Sequence, residues 1–414
     1  MNNFLAQRTE VFLEGSGAAR NYALRLLEDV GATVIGSDNK QGCSPGERWL
    51  ASGLGDLTGF THEPPGTCPI ALASVGDGAL AAVQALAGRE LPTQLQGAEL
   101  MALRAAMTGL SRQGSTSPGG SCRILPSRDG HIAVNLARDS DWRLLQAWLL
   151  APTPPDWPSV AARIRDLSKA ELIAQGRLLG LAVTDASPPL PGAGGWFDLA
   201  QHQRPLAGKR LPPRVIDLSS LWAGPLCSRL LQWAGAEVVK VESTQRPDGA
   251  RLGSPEFFEF LNSDKQHVQL ALHEPRGHDE LMELIRSADI VIEGSRPRAL
   301  RQMGIEAEQL LRDVPGLSWI GISGYGRREP EANWIAYGDD AGVAAGLSAI
   351  LHQATGQWMF CGDAIADPLT GMHAAVAALA SWHGGGGHLV SLSLVETVQH
   401  CIRFAMEPDT SWPS

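Results

Sequence analysis

Six cysteines in 414 residues, none of them in a C-x-x-C pair, give neither a disulfide framework nor a zinc knuckle anything to be built on. Cys43, Cys68, Cys122, Cys227, Cys361 and Cys401 read as reduced thiols. The chain has no H-x-x-x-H or H-E-x-x-H spacing, so no metal is expected; His383 and His388 bracket four glycines that read as a turn before the strand "LVSLSL". It has no G-x-G-x-x-G and no G-x-x-x-x-G-K-[ST], which argues against a nicotinamide cofactor and against a P-loop. No window holds the roughly 18 to 20 apolar residues a membrane helix needs. Lysine and arginine (34) are outnumbered by aspartate and glutamate (44). A net charge of −10 opposes a nucleic-acid role, which rests on a basic face that displaces phosphate counterions. The opening "MNNFLAQRTEVFLEG" lacks the pattern of a secretory signal, so a cytoplasmic location is expected.

What is present is a foldable chain of two or three domains, with 44% hydrophobic and 19% charged residues. "RVIDLSS" reads as a strand, "GPLCSRLLQWAG" as a helix with a glycine stop, and "AEVVKVE" as a second strand. "HVQLAL", "RGHDELMELIRSA", "DIVIEG", "PRALRQMG" and "LSWIGISGYG" continue the alternation. Such a pattern predicts an α/β fold: a Rossmann-like parallel sheet with helices on both faces and ligands at the carboxyl ends of its strands.

The sequence also repeats. "RLLEDVGATVIG" (25–36) matches "RLLQWAGAEVVK" (229–240) at an offset of 204, whereas "GALAAVQALA" (78–87) matches "GMHAAVAALA" (371–380) at 293. The first copy therefore lacks 89 residues that the second keeps. We expect a degenerate, truncated copy of the large domain over 1–97, a small α/β domain over 98–200, a linker over 201–213 and the intact large domain over 214–414. The small domain holds the glycine loop "STSPGGS" and a hairpin in "CRILPSRDGHIAVNLA".

In "AIADPLTGMHAAVAALASW" a lone carboxylate, Asp367, precedes a proline and an apolar run. Aspartate at an N-cap with proline at N1 is a helix-start signature, and Leu369, Met372, Val376 and Leu379 supply a buried stripe. Capping does not exclude catalysis, because a helix N-terminus also steadies a carboxylate.

"VIDLSSLWAGPLCSRLLQWAGAEVVKVE", "FLNSDKQHVQLAL", "ADIVIEGSRPRALRQMGI", "GISGYG" and "IADPLTGMHAAVAALASW", in this order, resemble the large domain of the class III CoA-transferases, the CaiB/BaiF family. "SCRILPSRDGHIAVNLARDSDWRLLQAWL" is similar to the family's small domain, here placed ahead of the intact large domain. The resemblance implies that Asp367 is the catalytic nucleophile of an acyl-CoA:carboxylate CoA-transferase working through an aspartyl mixed anhydride and an aspartyl-CoA thioester. It implies coenzyme A or acyl-CoA as substrate, a carboxylic acid as the other partner, no metal, and a homodimer. By position it implicates Trp222, Ala223, Ser243, Arg246, Lys265, Gly294, Ser295 and Tyr325 in holding CoA. Arg296, Arg298 and Arg301 suit its phosphates, since guanidinium forks match phosphate oxygens. At the offset of 293, Asp367 falls on Ser74, so one active site per chain is expected.

Two alternatives stand beside this reading. A 2-methylacyl-CoA racemase or epimerase shares the fold but needs two opposed bases, and "YGDD" (337–340) has Gly338 where racemase relatives carry a histidine. A non-catalytic CoA-binding subunit is the second; it would hold CoA without exchanging it between acids.

Overall fold

The computed structural model describes residues 9–37, 43–189, 194–201, 203, 206 and 210–407. Its largest sheet has seven strands: β6 (Asp198–Gln201), β7 (Arg214–Asp217), β8 (Glu237–Ser243), β9 (Gln266–Leu270), β10 (Ile290–Glu293), β11 (Ser318–Ser323) and β12 (His388–Ser393). Five earlier strands, β1 (Glu10–Phe12), β2 (Thr33–Ile35), β3 (Cys122–Ser127), β4 (Gly130–Asn135) and β5 (Ala182–Asp185), lie in two smaller sheets.

The large sheet runs β6-β12-β11-β10-β7-β8-β9, parallel except for the antiparallel edge strand β6. From β7 the chain winds outward through β8 and β9, then returns to β7's other side for β10, β11 and β12. That is the doubly wound nucleotide-binding order, and its strand order reverses between β7 and β10, the switch point at whose carboxyl ends such sheets bind ligands. Ile290–Glu293 is buried throughout, as a central parallel strand covered on both faces must be. One face packs against helix Pro275–Arg286, whose Gly277, Leu281 and Ile285 recur every fourth residue and bury one stripe. The strand Asp198–Gln201 follows a proline- and glycine-rich stretch and still pairs with β12, so the large sheet takes its last strand from the region expected to belong to the small domain.

The other face carries the helices that build the site, labelled here in chain order: α1 (Gly17–Asp29), α2 (Leu72–Ala87), α3 (Gly97–Thr108), α4 (Ala223–Trp233), α5 (Gly338–Ala345), α6 (Ala366–His383) and α7 (Leu394–Ala405). Helix α6 is rich in alanine and buried on nearly every side; Asp367, Trp382 and His383 are its residues outside the core. Small side chains let its neighbours approach closely. A Cβ on Gly371 would stand 2.7 Å from the Ala223 carbonyl oxygen of α4, and a Cβ on Gly78 of α2 would stand 2.3 Å from the Ala19 carbonyl oxygen of α1. Gly78 and Gly371 are repeat mates, as are Ala19 and Ala223, so the same backbone contact occurs in both halves.

Strands β1 and β2 pair in parallel around α1, with Val11 opposite Val34. The antiparallel sheet β3-β4-β5 holds a separate core around Trp148, Leu149, Val160 and Leu172.

Candidate active site

Asp367 is the second residue of α6, whose N-cap is Ile365. The helix starts two residues before the aspartate-proline signature indicates, and the Asp367 carboxylate does not cap its own helix. It turns instead to the backbone N–H groups of Ala223, the first residue of α4, and Gly338, the first residue of α5. Three helix N-termini thus converge on one carboxylate, each presenting the positive end of its dipole. Asp367 keeps some accessible surface while protein atoms crowd it closely.

The turn before α6 places further acids nearby. Arg104 of α3 donates two parallel hydrogen bonds to the buried Asp363, Nε to Oδ2 at 2.7 Å and Nη2 to Oδ1 at 2.6 Å. The Ala364 N–H donates to Asp339 Oδ1 at 2.8 Å, and Ser117 of the glycine loop also hydrogen-bonds Asp339. Asn135, at the end of β4, donates to Asp340 Oδ1 at 2.8 Å. Ala364 has φ +43, a conformation unfavourable for a residue with a Cβ, and the turn is held on its other side by the Gly362 N–H donating to Thr58 Oγ1 at 3.1 Å.

Burial governs the electrostatics. It raises Asp367 to about 7; Arg104 opposes the rise and Asp339 adds to it. Asp339 is raised to about 6 by burial and by Asp363, and Asp340 to about 7 by burial. Asp340 Oδ2 has no partner among the described residues, which suits a carboxyl that keeps its proton. Asp367 therefore changes charge near neutral pH.

Of the residues implicated by sequence, Trp222 and Ala223 lie beside Asp367's pocket. Trp222 is buried, packs edge-on against Phe257 at 5.0 Å, and has the Arg104 guanidinium 5.5 Å from its ring centroid. Gly294 and Ser295 follow β10 at the switch point, where a Cβ on Gly294 would meet Ser219 Cβ at 2.9 Å; Ser295 Oγ donates to Glu293. Ser243 ends β8 and bridges to Arg246. Arg246, Arg296 and Arg298 gather at this end of the sheet: their mutual repulsion, with Arg138, follows burial in lowering Arg296. Arg138, just after β4, was not indicated by any local motif; its nearest counter-ion is Asp141, at 2.6 Å. Arg301 is paired with Glu308 at 2.6 Å. Tyr325 lies under Arg177, 5.2 Å from its ring.

Lys265 is placed differently from the other cations. Its ammonium is buried and donates to Asp217, Pro225 O, Ser228 Oγ and Asn262 Oδ1 at 2.7–3.3 Å, which ties β7 to α4 from within. Burial lowers it to about 8, while Asp217, buried but flanked by Lys240 and Lys265, is held at about 2.

Arg104, Asp363, Asp339, Asn135 and Arg138 were missed by sequence reasoning. The residues of each of the pairs Arg104–Asp363 and Asn135–Asp340 lie more than 200 positions apart, so no local pattern announces them.

Residues 213–411, just under half of the chain, match the sequence model of CoA-transferase family III. A curated acyl-CoA transferase of Fusarium pseudograminearum is 30% identical over 203 residues, covering 44% of this chain and 44% of that one. The formyl-CoA:oxalate CoA-transferase of Escherichia coli is 30% identical over 201 residues, covering 46% and 48%. The chain thus spans about half the length of the curated relatives it matches. A crystal structure of a CaiB/BaiF family protein from Brucella suis overlays with a TM-score of 0.39 at 23% identity, over 46% of this chain and 54% of that one. Among the described residues, no helix is long and apolar enough to cross a membrane and no group of three or more His, Cys, Asp or Glu is disposed to hold a metal.

Proposed function

We propose that the protein is an acyl-CoA:carboxylate CoA-transferase with Asp367 as its nucleophile. The observation that carries the reading is the Asp367 carboxylate lying where the N–H groups of Ala223 and Gly338 converge, inside a segment that matches CoA-transferase family III.

The carboxylate attacks the thioester carbonyl of the donor, the carbon–sulfur bond breaks, and CoA leaves as its thiolate with a mixed anhydride on Asp367. The thiolate then attacks the aspartyl carbonyl and expels the donor acid, leaving an aspartyl-CoA thioester. An acceptor carboxylate attacks that thioester to form a second mixed anhydride, and the thiolate takes the acceptor acyl group, regenerating Asp367. Each step passes through an oxyanion, and donors fixed at helix N-termini stabilise it without reorganising. Because a carboxylate is a weak nucleophile, positioning and dryness supply most of the rate, and the crowded setting of Asp367 suits both.

For CoA, Arg246, Arg296 and Arg298 with Arg138 form a cationic cluster at the switch point, where a phosphate-rich ligand relieves their repulsion. Lys265 acts by holding the sheet under that site. The first 97 residues are a truncated duplicate of the large domain, a view supported by the matched Gly78–Ala19 and Gly371–Ala223 contacts. A homodimer remains part of the reading.

The racemase alternative loses ground to a distance. A Cβ on Gly338 would stand 2.2 Å from Asp367 Oδ2 and 2.3 Å from the Ala364 carbonyl oxygen, so a histidine there is incompatible with this site. Exchange of labelled CoA between two acids, with parallel-line ping-pong kinetics, tests the transferase. A protein that binds CoA and shows no exchange with any acid in a broad panel is a binder.

A further inference from the structure

We propose that Arg104, which lies outside the family-matched segment, is a positioning residue for Asp367: it locks the Asp363 turn and supplies the cationic charge that, among the described residues, the nucleophile's surroundings otherwise lack. The role rests on the transferase reading, while the placement of Arg104 stands without it.

The charges around Asp367 are unevenly supplied. Helix α5 contributes Asp339 and Asp340, the turn 361–365 contributes Asp363 and the neutral thiol of Cys361, and α4 contributes backbone N–H groups with no ionised side chain in its first turn. On α2, which packs along α6, Asp77 is committed to Arg48 at 2.5 Å, and Ser74 is uncharged. His373, the next titratable group along α6, is a neutral acceptor for Tyr22. Arg104 is thus the cation that acts on Asp363, Asp339 and Asp367 together. Several carboxylates in one low-dielectric pocket cannot all ionise unless a fixed positive charge accompanies them.

The placement of Arg104 is specific. The guanidinium lies over Trp222, and Gly119 of the glycine loop passes so close that a Cβ there would be 3.5 Å from Arg104 Nη2. Its fork grips Asp363 through two hydrogen bonds, and Asp363 lies four residues before the nucleophile in the turn strained at Ala364. Lysine keeps the charge but loses the fork, whereas methionine loses both.

The test uses the full chain with Arg104→Met, Arg104→Lys and Asp363→Asn, each checked by circular dichroism and thermal melting. In protein labelled with carboxyl-¹³C aspartate, the Asp367 resonance is assigned by its loss in Asp367→Asn and titrated, a readout that needs no turnover. Arg104→Met is expected to move the midpoint upward by about one unit or more, with Arg104→Lys returning part of it, because removing an adjacent opposite charge favours the protonated acid. Should Arg104→Met fail to fold, Asp363→Asn decides: relieving Arg104 of its partner lowers the Asp367 midpoint, and no change or a rise overturns the proposal. A folded Arg104→Met whose midpoint stays within about 0.3 unit of wild type also overturns it. In parallel, capture of an acyl group by Asp367 falls about tenfold at pH 7 in Arg104→Met and recovers toward pH 9, since one unit is tenfold in ionised fraction. If the resonance shifts as expected while even the wild-type protein captures no acyl group, the transferase reading fails and the placement of Arg104 stands.

Discussion

Gly338 and Asp367 are so close that glycine is the residue that fits: a Cβ at 338 would lie 2.2 Å from Asp367 Oδ2. The contact ties the first residue of α5 to the second of α6 and lets the Gly338 N–H reach the carboxylate. Gly338→Ala should therefore lower stability by about 1–3 kcal/mol, as overpacking does, and abolish acylation of Asp367. Urea unfolding of Gly338→Ala, Asp367→Gly and the double variant checks this. Part of the loss should be relieved in the double variant, and the clash with the Ala364 carbonyl should remain.

The contribution of three buried carboxyls to stability should fall as pH rises from about 4 to about 7, while the buried His373 and His388, held at about 4, contribute in the opposite sense over the same range. Asp367, Asp339 and Asp340 have folded values of about 7, 6 and 7 against an unfolded 3.8, so the folded chain binds their protons more tightly. Their favourable contribution is present below the unfolded value and is lost as pH passes through the folded values. Asp217, held at about 2, acts in the opposite sense: its contribution is present above 3.8 and lost as pH drops toward 2. Melting temperatures recorded from pH 4.5 to 8 should fall less steeply, or rise more, in Asp340→Asn than in wild type.

Lys240 and Asp248 form a fully buried ion pair at 2.9 Å, and Asp248 in turn accepts from the Leu221 N–H of the loop leading to Trp222. Lys240→Met leaves a carboxylate buried without its partner and should cost about 3–5 kcal/mol. Pairing it with Asp248→Asn should recover part of that, read from denaturant midpoints with the slope unchanged.

Much of this architecture was legible because it is periodic. Strand–helix alternation announced the parallel sheet. Asp367 stood out as a charge before an apolar helix. What stayed hidden depends on contacts between distant segments. Lys265 has the sequence character of a surface cation and is buried because Asp217, Ser228 and Asn262 surround it in space. Arg104 looks like any polar residue of an amphipathic helix until the turn at Asp363 meets it. β6 lies at the end of the expected small domain, and it joins the large sheet because β12 offers it an open edge.

The arginine cluster makes a graded prediction for ligand binding. Arg296→Ala and Arg138→Ala should each weaken CoA binding about tenfold or more, the cost of a charge-assisted hydrogen bond, and reduce its salt dependence. Arg301→Ala, whose guanidinium already faces Glu308, should change affinity less than about threefold. Isothermal titration with CoA at two salt concentrations separates them.

The docking of α1 against α6 rests partly on the Tyr22 hydroxyl donating to His373 Nε2 at 2.6 Å, with His373 Nδ1 satisfied by the Leu369 carbonyl at 2.7 Å. Tyr22→Phe strands a buried acceptor and should cost about 1–3 kcal/mol without altering CoA affinity. Chemical unfolding and titration on the same sample check both parts.

The central claim is that Asp367 becomes acylated. The protein is incubated with a panel of acyl-CoAs and hydroxylamine, and the peptide containing Asp367 is examined by mass spectrometry beside Asp367→Asn. A hydroxamate at Asp367, absent from the variant, is the predicted result, and the acyl-CoAs that produce it identify the donor. An unmodified Asp367 across the panel, in protein that still binds CoA, would contradict the account and leave Asp367 as a structural element of the α6 N-terminus.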